Sequence, residues 1–345
     1  MKRHIPAEWS PQYGVLLSWP HFHSDWASLL DEVDVVYTEI ACHISRHENV
    51  VICCHDKTHR DHITGLLARA ATDMNRVSLY TIPTNDTWTR DYGPVTAINN
   101  SDHALLDFTF NGWGGKFRAD LDNQATGRLH ACGAFGHAPV KTIDMVLEGG
   151  SVEFDGEGIL LTTSQCLLTP TRNPHLNRTQ TESRLKDIFG IKRILWLEHG
   201  SLIGDDTDSH VDVLARFCDT RTIAYTSCDD KTQGHYDELK LMEAELGSFT
   251  TNDGNPYRLI PLPVPSPRYD EDGMQLPASY ANFLIINEAV LVPTYQDPMD
   301  AVALERLRDC FPGREIIGIN CLPLVTQHGS LHCVTMQLPA GICEK

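Results

Sequence analysis

At 345 residues, with 41% hydrophobic and 21% charged side chains, the chain is long enough to bury a large core and has the make-up of a globular protein. Its formal net charge of −18 argues against nucleic-acid or anionic-membrane partners and favours cationic ligands. Eleven cysteines, an odd number with no C-x-x-C pair, exclude a complete disulfide framework and a zinc-type spacing, so reduced thiols in a cytoplasm are expected.

Lys2 and Arg3 are followed by Pro6, Glu8 and Pro11, and the apolar run Val15–Trp19 is too short for a signal segment or a membrane span. Gly14–Pro20 reads as a buried strand. Ser24 is placed to cap a helix whose apolar positions Trp26, Leu29, Val33, Val36, Ile40 and Ile44 keep helical spacing. A strand at Val50–Cys54, a helix near His59–Ala71 and a strand at Val77–Ile82 follow.

From Asn85 a pattern recurs: a polar loop, a strand, a tight turn, a second strand, a helix and a third strand. The first copy begins at N-D-T-W-T-R-D-Y-G-P (Asn85–Pro94), with strands near Val95–Ile98 and Ala104–Phe110, a helix near Asp122–Cys132 and a strand at Val140–Ile143. The second begins at L-E-G-G (Leu147–Gly150) and turns at D-G-E-G (Asp155–Gly158), a strong hairpin signal. Its helix covers Thr181–Phe189 and its last strand Arg193–Leu197. The third begins at D-D-T-D-S-H-V-D (Asp205–Asp212), with strands Val211–Phe217 and Thr222–Thr226, helix His235–Leu246 and strand Arg258–Pro261. The fourth begins at S-Y-A-N-F (Ser279–Phe283), turns at Asn287-Glu288, and continues with helix Met299–Cys310 and strand Glu315–Ile319. The fifth begins at Q-H-G-S-L-H-C (Gln327–Cys333) and stops after one strand, Cys333–Leu338.

Joining that last strand to the N-terminal strand completes a fifth unit and closes a ring with no open sheet edge. Units of this length repeated around an axis predict a propeller-like α/β array in one domain, residues 1–345, with the opening loops gathered at one end. The chemically unusual stretches all lie in those loops.

In the third loop, His210 and Asp212 fall on one face of the expected strand while Val211 and Val213 take the other. The stretch is either a site edge or a solvated acidic loop. Its carboxylates lack the glycine and distal glutamate of a calcium loop, and the sequence has no H-E-x-x-H, so no metal is expected. Cys333 is either a nucleophile or one more buried small residue; the ring places it opposite His210 and Asp212 and favours the first. Asp91 either pairs with Arg90 at a turn or faces the axis, where it and Asp212 would clamp a planar cation. Glu148 is expected to hydrogen-bond the His210 imidazole. Trp88 and Trp113 sit in polar, glycine-rich loops, which points to an alkyl chain or cation rather than to a core. Asn282 either lines the same pocket or satisfies backbone groups.

Taken together, N-D-T-W-T-R-D-Y-G-P, F-N-G-W-G-G-K, L-E-G-G-S, S-H-V-D, S-Y-A-N-F and H-C-V-T-M-Q-L-P resemble the agmatine deiminase family, which includes bacterial peptidyl-arginine deiminases within the guanidino-group-modifying superfamily. The resemblance covers nearly the whole chain. It implies a five-bladed, pseudo-symmetric α/β propeller of ββαβ units, and hydrolysis of a guanidinium to a ureido group without metal or organic cofactor. Residue by residue it implies Cys333 as nucleophile, His210 as general acid/base, Asp91 and Asp212 as the guanidinium clamp, Glu148 as support for the histidine, and Trp88 and Trp113 against the alkyl chain. A homodimer is implied at family level only.

Two departures stand out. Asp206 occupies the place where the family usually has a glutamate for the distal amine, and Q-H-G-S-L-H-C replaces a glycine-rich run before the cysteine. Agmatine, a dication, suits the acidic chain. The alternatives are free arginine or a C-terminal peptidyl arginine, a polyamine- or guanidine-binding protein without chemistry, and a metal-dependent hydrolase.

Overall fold

The computed structural model describes residues 3–99 and 102–343, so the tight turn of the first repeat and the extreme termini lie outside it. The described residues form a mixed α/β fold of five small sheets. Four sheets repeat one plan: an antiparallel hairpin whose second strand pairs in parallel with a third, reached through a helix. They are Val95–Asn99, Asp102–Thr109 and Val140–Val146; Val152–Phe154, Ile159–Thr163 and Arg193–Leu197; Ala215–Asp219, Thr222–Ser227 and Arg258–Pro263; and Leu284–Ile286, Ala289–Thr294 and Glu315–Asn320. In the fifth, the C-terminal strand Thr335–Pro339 pairs antiparallel with Gln12–Ser18, which pairs in parallel with Asn49–Cys54; Val77–Thr81 adds an extra parallel strand. The chain ends thus meet in one sheet, as the repeat count requires.

The middle strands explain the pattern. Thr222–Ser227 and Ala289–Val292 are buried along their length, as a strand covered on both faces must be, and Ala289–Val292 is accordingly aliphatic throughout. Helices Leu30–Ser45, Arg178–Phe189, Tyr236–Ser248 and Met299–Cys310 lay apolar stripes on them. Asn177 and Gln180 form a reciprocal capping box, and Gly190 closes that helix in the left-handed conformation. None of these helices is long and apolar enough to cross a membrane, and all eleven cysteines are free.

Three expectations need correcting. Ser24 caps no helix: its Oγ donates to the His21 carbonyl at 2.7 Å, and the helix begins at Leu30 without a side-chain cap. Val211–Phe217 is not one strand. A single 3₁₀ turn at Val211–Val213 precedes the strand Ala215–Asp219, because the Thr226 amide and hydroxyl take the Leu214 and Val213 carbonyls and end the ladder there. Likewise the final strand starts at Thr335, after a turn closed by the Thr335 amide on the His332 carbonyl.

Candidate active site

The five opening loops meet through buried polar contacts. Asp91 Oδ1 accepts the Gly150 amide at 2.9 Å, joining the first loop to the second. The Arg90 amide donates to the Cys333 carbonyl at 3.1 Å, joining the first to the fifth. Asn282 Oδ1 accepts the His332 amide at 2.8 Å, joining the fourth to the fifth, and Asn282 Nδ2 donates to the Asp212 carbonyl at 3.4 Å, reaching the third.

Gly150 shows how tight this junction is. A Cβ there would stand 2.6 Å from His210 Nδ1, 2.9 Å from Asp91 Oδ1 and 3.2 Å from Asp212 Oδ2. The imidazole and both carboxylates therefore converge on one point of bare backbone, which only glycine leaves free. His210 Nδ1 lies 3.6 Å from Asp91 Oδ1, and Cys333 Sγ lies 3.8 Å from Asp212 Oδ2.

Beside them opens a pocket of about 230 Å³. Cys333 and Asp91 reach into it; Trp88, Trp113 and Phe117 form apolar walls; Asp25, Asp86 and Asp206 add three more carboxylates, and no lysine or arginine is among the lining residues. Trp113 holds a left-handed backbone (φ 53°), and its indole donates to Asp91 Oδ2 at 2.9 Å, so it both walls the pocket and aims a carboxylate. Trp88 packs on Trp26, with ring centroids 5.6 Å apart. Gly329 is required opposite it, since a Cβ there would meet the Trp88 ring at 2.2 Å.

The electrostatics follow from burial. Burial pushes the Cys333 thiol well above its ordinary range, and the Asp212 and Asp91 charges push it further. Burial opposes a charged His210, yet the Asp91 carboxylate, together with Cys166 and Glu148, more than reverses this and holds the imidazole protonated well above the usual range. Burial also raises Asp91, with Asp212 adding to the effect and His210, Trp113 and Gly150 opposing it. Asp212, raised by burial, is brought below the usual range by the hydrogen bond and charge of His332. At the far end burial lifts Asp86 to about 6, against the Trp26 indole and the Thr87 amide.

Of the residues expected at the site, Cys333, Asp91, Trp88, Trp113 and Asp206 line the pocket, while His210, Asp212 and Glu148 are buried behind it. Two sit differently from expectation. Glu148 makes no hydrogen bond to His210: its Oε1 accepts from Arg172 Nε at 2.8 Å and its Oε2 is unpartnered, with His210, Cys166 and Glu148 grouped within 4.8 Å. A buried carboxylate needs a cation, and Arg172 supplies one at hydrogen-bond distance, adding to the charge of the neighbouring His210 imidazole. Asn282 lies behind the cysteine rather than along the pocket, its Oδ1 facing the amides of His332 and Cys333 and the Cys333 thiol at 3.4 Å. Sequence reasoning missed Glu8, Asp25, Asp86, Arg172 and His332: Glu8, Asp25 and Arg172 come from stretches with no unusual composition, while Asp86 and His332 lie in the opening loops beside Trp88 and Cys333. That placement was their readable signal.

A fold of five ββα-type sheets whose opening loops bring a cysteine, a histidine and paired aspartates to one buried point defines a class of hydrolases acting on guanidinium carbon. A model of the Porphyromonas-type peptidyl-arginine deiminases matches residues 4–339, and the chain belongs to that family. It is 32% identical to the agmatine deiminase of Medicago truncatula, over 98% of this chain and 96% of the relative. The structure of the C. jejuni agmatine deiminase with substrate bound is 40% identical, with a TM-score of 0.90 over 98% of this chain and 96% of that one. A Porphyromonas gingivalis structure provisionally described as an arginine deiminase is 50% identical, with a TM-score of 0.93 over 99% of both chains.

Proposed function

We propose that this protein is an agmatine deiminase, converting agmatine and water to N-carbamoylputrescine and ammonia in the service of polyamine synthesis. The observation that carries the reading is the pocket itself: a thiol and a carboxylate at one end, tryptophan walls, and further carboxylates with no lining arginine or lysine. A dication with an alkyl spacer complements such a cavity at both ends.

In this reading Asp91 and Asp212 hold the guanidinium and turn its carbon towards Cys333. The bound cation offsets the two charges that keep the thiol protonated, so ionisation accompanies binding. The thiolate attacks, a C–S bond forms, and the tetrahedral adduct expels ammonia with a proton from His210. Water attacks the thiouronium carbon as His210 takes its proton; the C–S bond breaks, freeing the ureido product and the thiol. Glu148 and Arg172 fix the imidazole from behind. Asp206, together with Asp86, receives the distal amine.

The five sheets are read as the blades of a pseudo-symmetric propeller of ββαβ units, residues 1–345 forming one domain that works in the cytoplasm. The pairing of the C-terminal strand with Gln12–Ser18 supports the ring. A second reading, deimination of free or C-terminal peptidyl arginine, is favoured by the P. gingivalis relative; of the lining side chains it leaves only His328 to face the substrate carboxylate. Ureido-product formation from agmatine, arginine and an arginine-ended peptide separates the two. Turnover of agmatine alone, with KM raised in Asp206→Ala, is the expected result; turnover of an arginine substrate in its place would overturn the assignment.

A further inference from the structure

A second pocket, of about 370 Å³, opens beside the segment that follows the first strand, and five histidines line it. His21-Phe22-His23 is an H-x-H pair, a ligand spacing that runs against the expectation of no metal.

Three of the five rings are already committed. His21 Nε2 donates to the Thr84 carbonyl at 3.0 Å and its Nδ1 accepts the His23 amide at 3.2 Å, so neither nitrogen is free. His59 Nδ1 accepts the His55 amide at 3.1 Å. His62 Nε2 lies 2.6 Å from Asp34 Oδ2, whose partner oxygen takes the Trp19 indole proton. What is left is His23, His55 and Asp56, and one ligand atom from each lies within 4.8 Å of the others. His55 Nδ1 is buried without a hydrogen-bond partner, while the exposed side chains of His23 and Asp56 are free to close on an ion. Asp56 uses Oδ1 to cap the helix Lys57–Arg69 through the His59 amide at 2.8 Å.

The committed rings behave as an outer shell. His21 pins the main chain of His23 and His59 pins that of His55, fixing the backbone from which the two side chains project. The His55 ring lies 4.1 Å from His21 and 5.0 Å from His23, centroid to centroid.

We propose that His23, His55 and Asp56 form a site for a borderline divalent cation of the zinc, nickel or cobalt class, completed by water. Two imidazole nitrogens and one carboxylate suit such ions, whereas magnesium and calcium prefer all-oxygen shells. The ion would tie the segment after the first strand to the start of the second helix. That segment also carries Asp25, which lines the substrate pocket, and Trp26, whose indole donates to Asp86 at 2.8 Å. A metal here is a staple on the pocket wall, separate from the catalytic thiol.

The test is calorimetric titration of Zn²⁺ into Cys132→Ser protein, which removes the exposed competing thiol. One Zn²⁺ per chain is expected, weakened by about tenfold or more in His23→Ala and in Asp56→Asn. Asp56→Asn retains the helix cap, so its loss of binding is not a loss of fold. His199→Ala is the unchanged control and Mg²⁺ gives no binding. Co²⁺ provides the second readout on the unaltered chain: weak visible bands without thiolate-to-cobalt charge transfer. Absence of Zn²⁺ binding, binding in the two variants as tight as in their parent, or a thiolate charge-transfer band overturns the proposal.

Discussion

His332 Nδ1 lies 2.8 Å from Asp212 Oδ2, the oxygen that also stands 3.8 Å from the Sγ of Cys333, the next residue in the chain. The other ring nitrogen, Nε2, lies 2.9 Å from Glu8 Oε2. Glu8, His332 and Asp212 thus form one buried hydrogen-bonded chain beneath the thiol, with burial and the nearby Arg216 and Arg90 pulling the His332 imidazole below its ordinary range. His332→Phe takes away the side-chain partner of Asp212, while Glu8 keeps Arg216. It is expected to lower kcat through the freed Asp212, and to lower the thermal midpoint; kinetics and a melting curve on the same sample check both.

Glu8 anchors the lower end of that chain. Burial pushes its carboxyl up, but Arg216, with His332 and Arg90 behind it, reverses this and holds it well below the usual carboxylate range. Arg216 itself is fully buried, 2.8 Å from both Glu8 Oε2 and Glu153 Oε2. A carboxylate depressed on folding stabilises the protein above its unfolded pKa of about 4.3 and loses that contribution as pH falls below it. Unfolding followed between pH 6 and pH 3 should therefore show a steep acid-side loss, flattened in Glu8→Gln at the cost of lower stability at neutral pH.

The Cys333 thiol of the free protein is held protonated by burial and by the Asp212 and Asp91 charges. Removing one charge lowers its pKa, so Asp212→Asn should react with iodoacetamide faster than wild type at pH 7 while losing turnover. The alkylation rate against pH should rise at lower pH in the variant. Equal profiles would sink this account of the thiol.

Arg172 donates to Glu148 at 2.8 Å, to Asp208 at 2.5 Å and to the Thr207 carbonyl at 3.0 Å. Arg172→Ala strands a buried carboxylate beside His210, at a cost of about 3–5 kcal/mol. Denaturant unfolding measures that cost, and activity should fall with it.

Gly150→Ala places a methyl group among His210, Asp91 and Asp212. A displacement of this kind at the reacting groups should cost kcat about 10², with a smaller effect on the melting midpoint. Steady-state kinetics beside circular dichroism distinguish misplacement from misfolding.

How much of this was legible in the sequence depends on the physical range of the signal. Repeats, hairpins and crossover helices are local: D-G-E-G at Asp155–Gly158 and the stripe of Met299–Cys310 fix their own geometry. The meeting of the two chain ends in one sheet followed by counting strands, and the clustering of Asp91, His210, Asp212 and Cys333 followed from gathering the opening loops. What failed was the alternation argument on Val211–Phe217, where the Thr226 contacts of a neighbouring strand hold Val211–Val213 in a turn and the strand starts only at Ala215. Side-chain partners were the least readable. Nothing near Arg172 marks it as the cation for Glu148, and nothing near Glu8 marks it as the partner of a histidine 324 positions away. His21-Phe22-His23 is a local and readable pair, but its meeting with His55 and Asp56 depends on two separate loops coming together.

The covalent thiouronium intermediate is the centre of the mechanism, and acid-quenched mass spectrometry of the protein mixed with agmatine tests it most directly. The expected result is a transient gain equal to agmatine less ammonia, located on the peptide containing Cys333 and absent from Cys333→Ser. Ureido product forming without that adduct, or forming undiminished in Cys333→Ser, would contradict it.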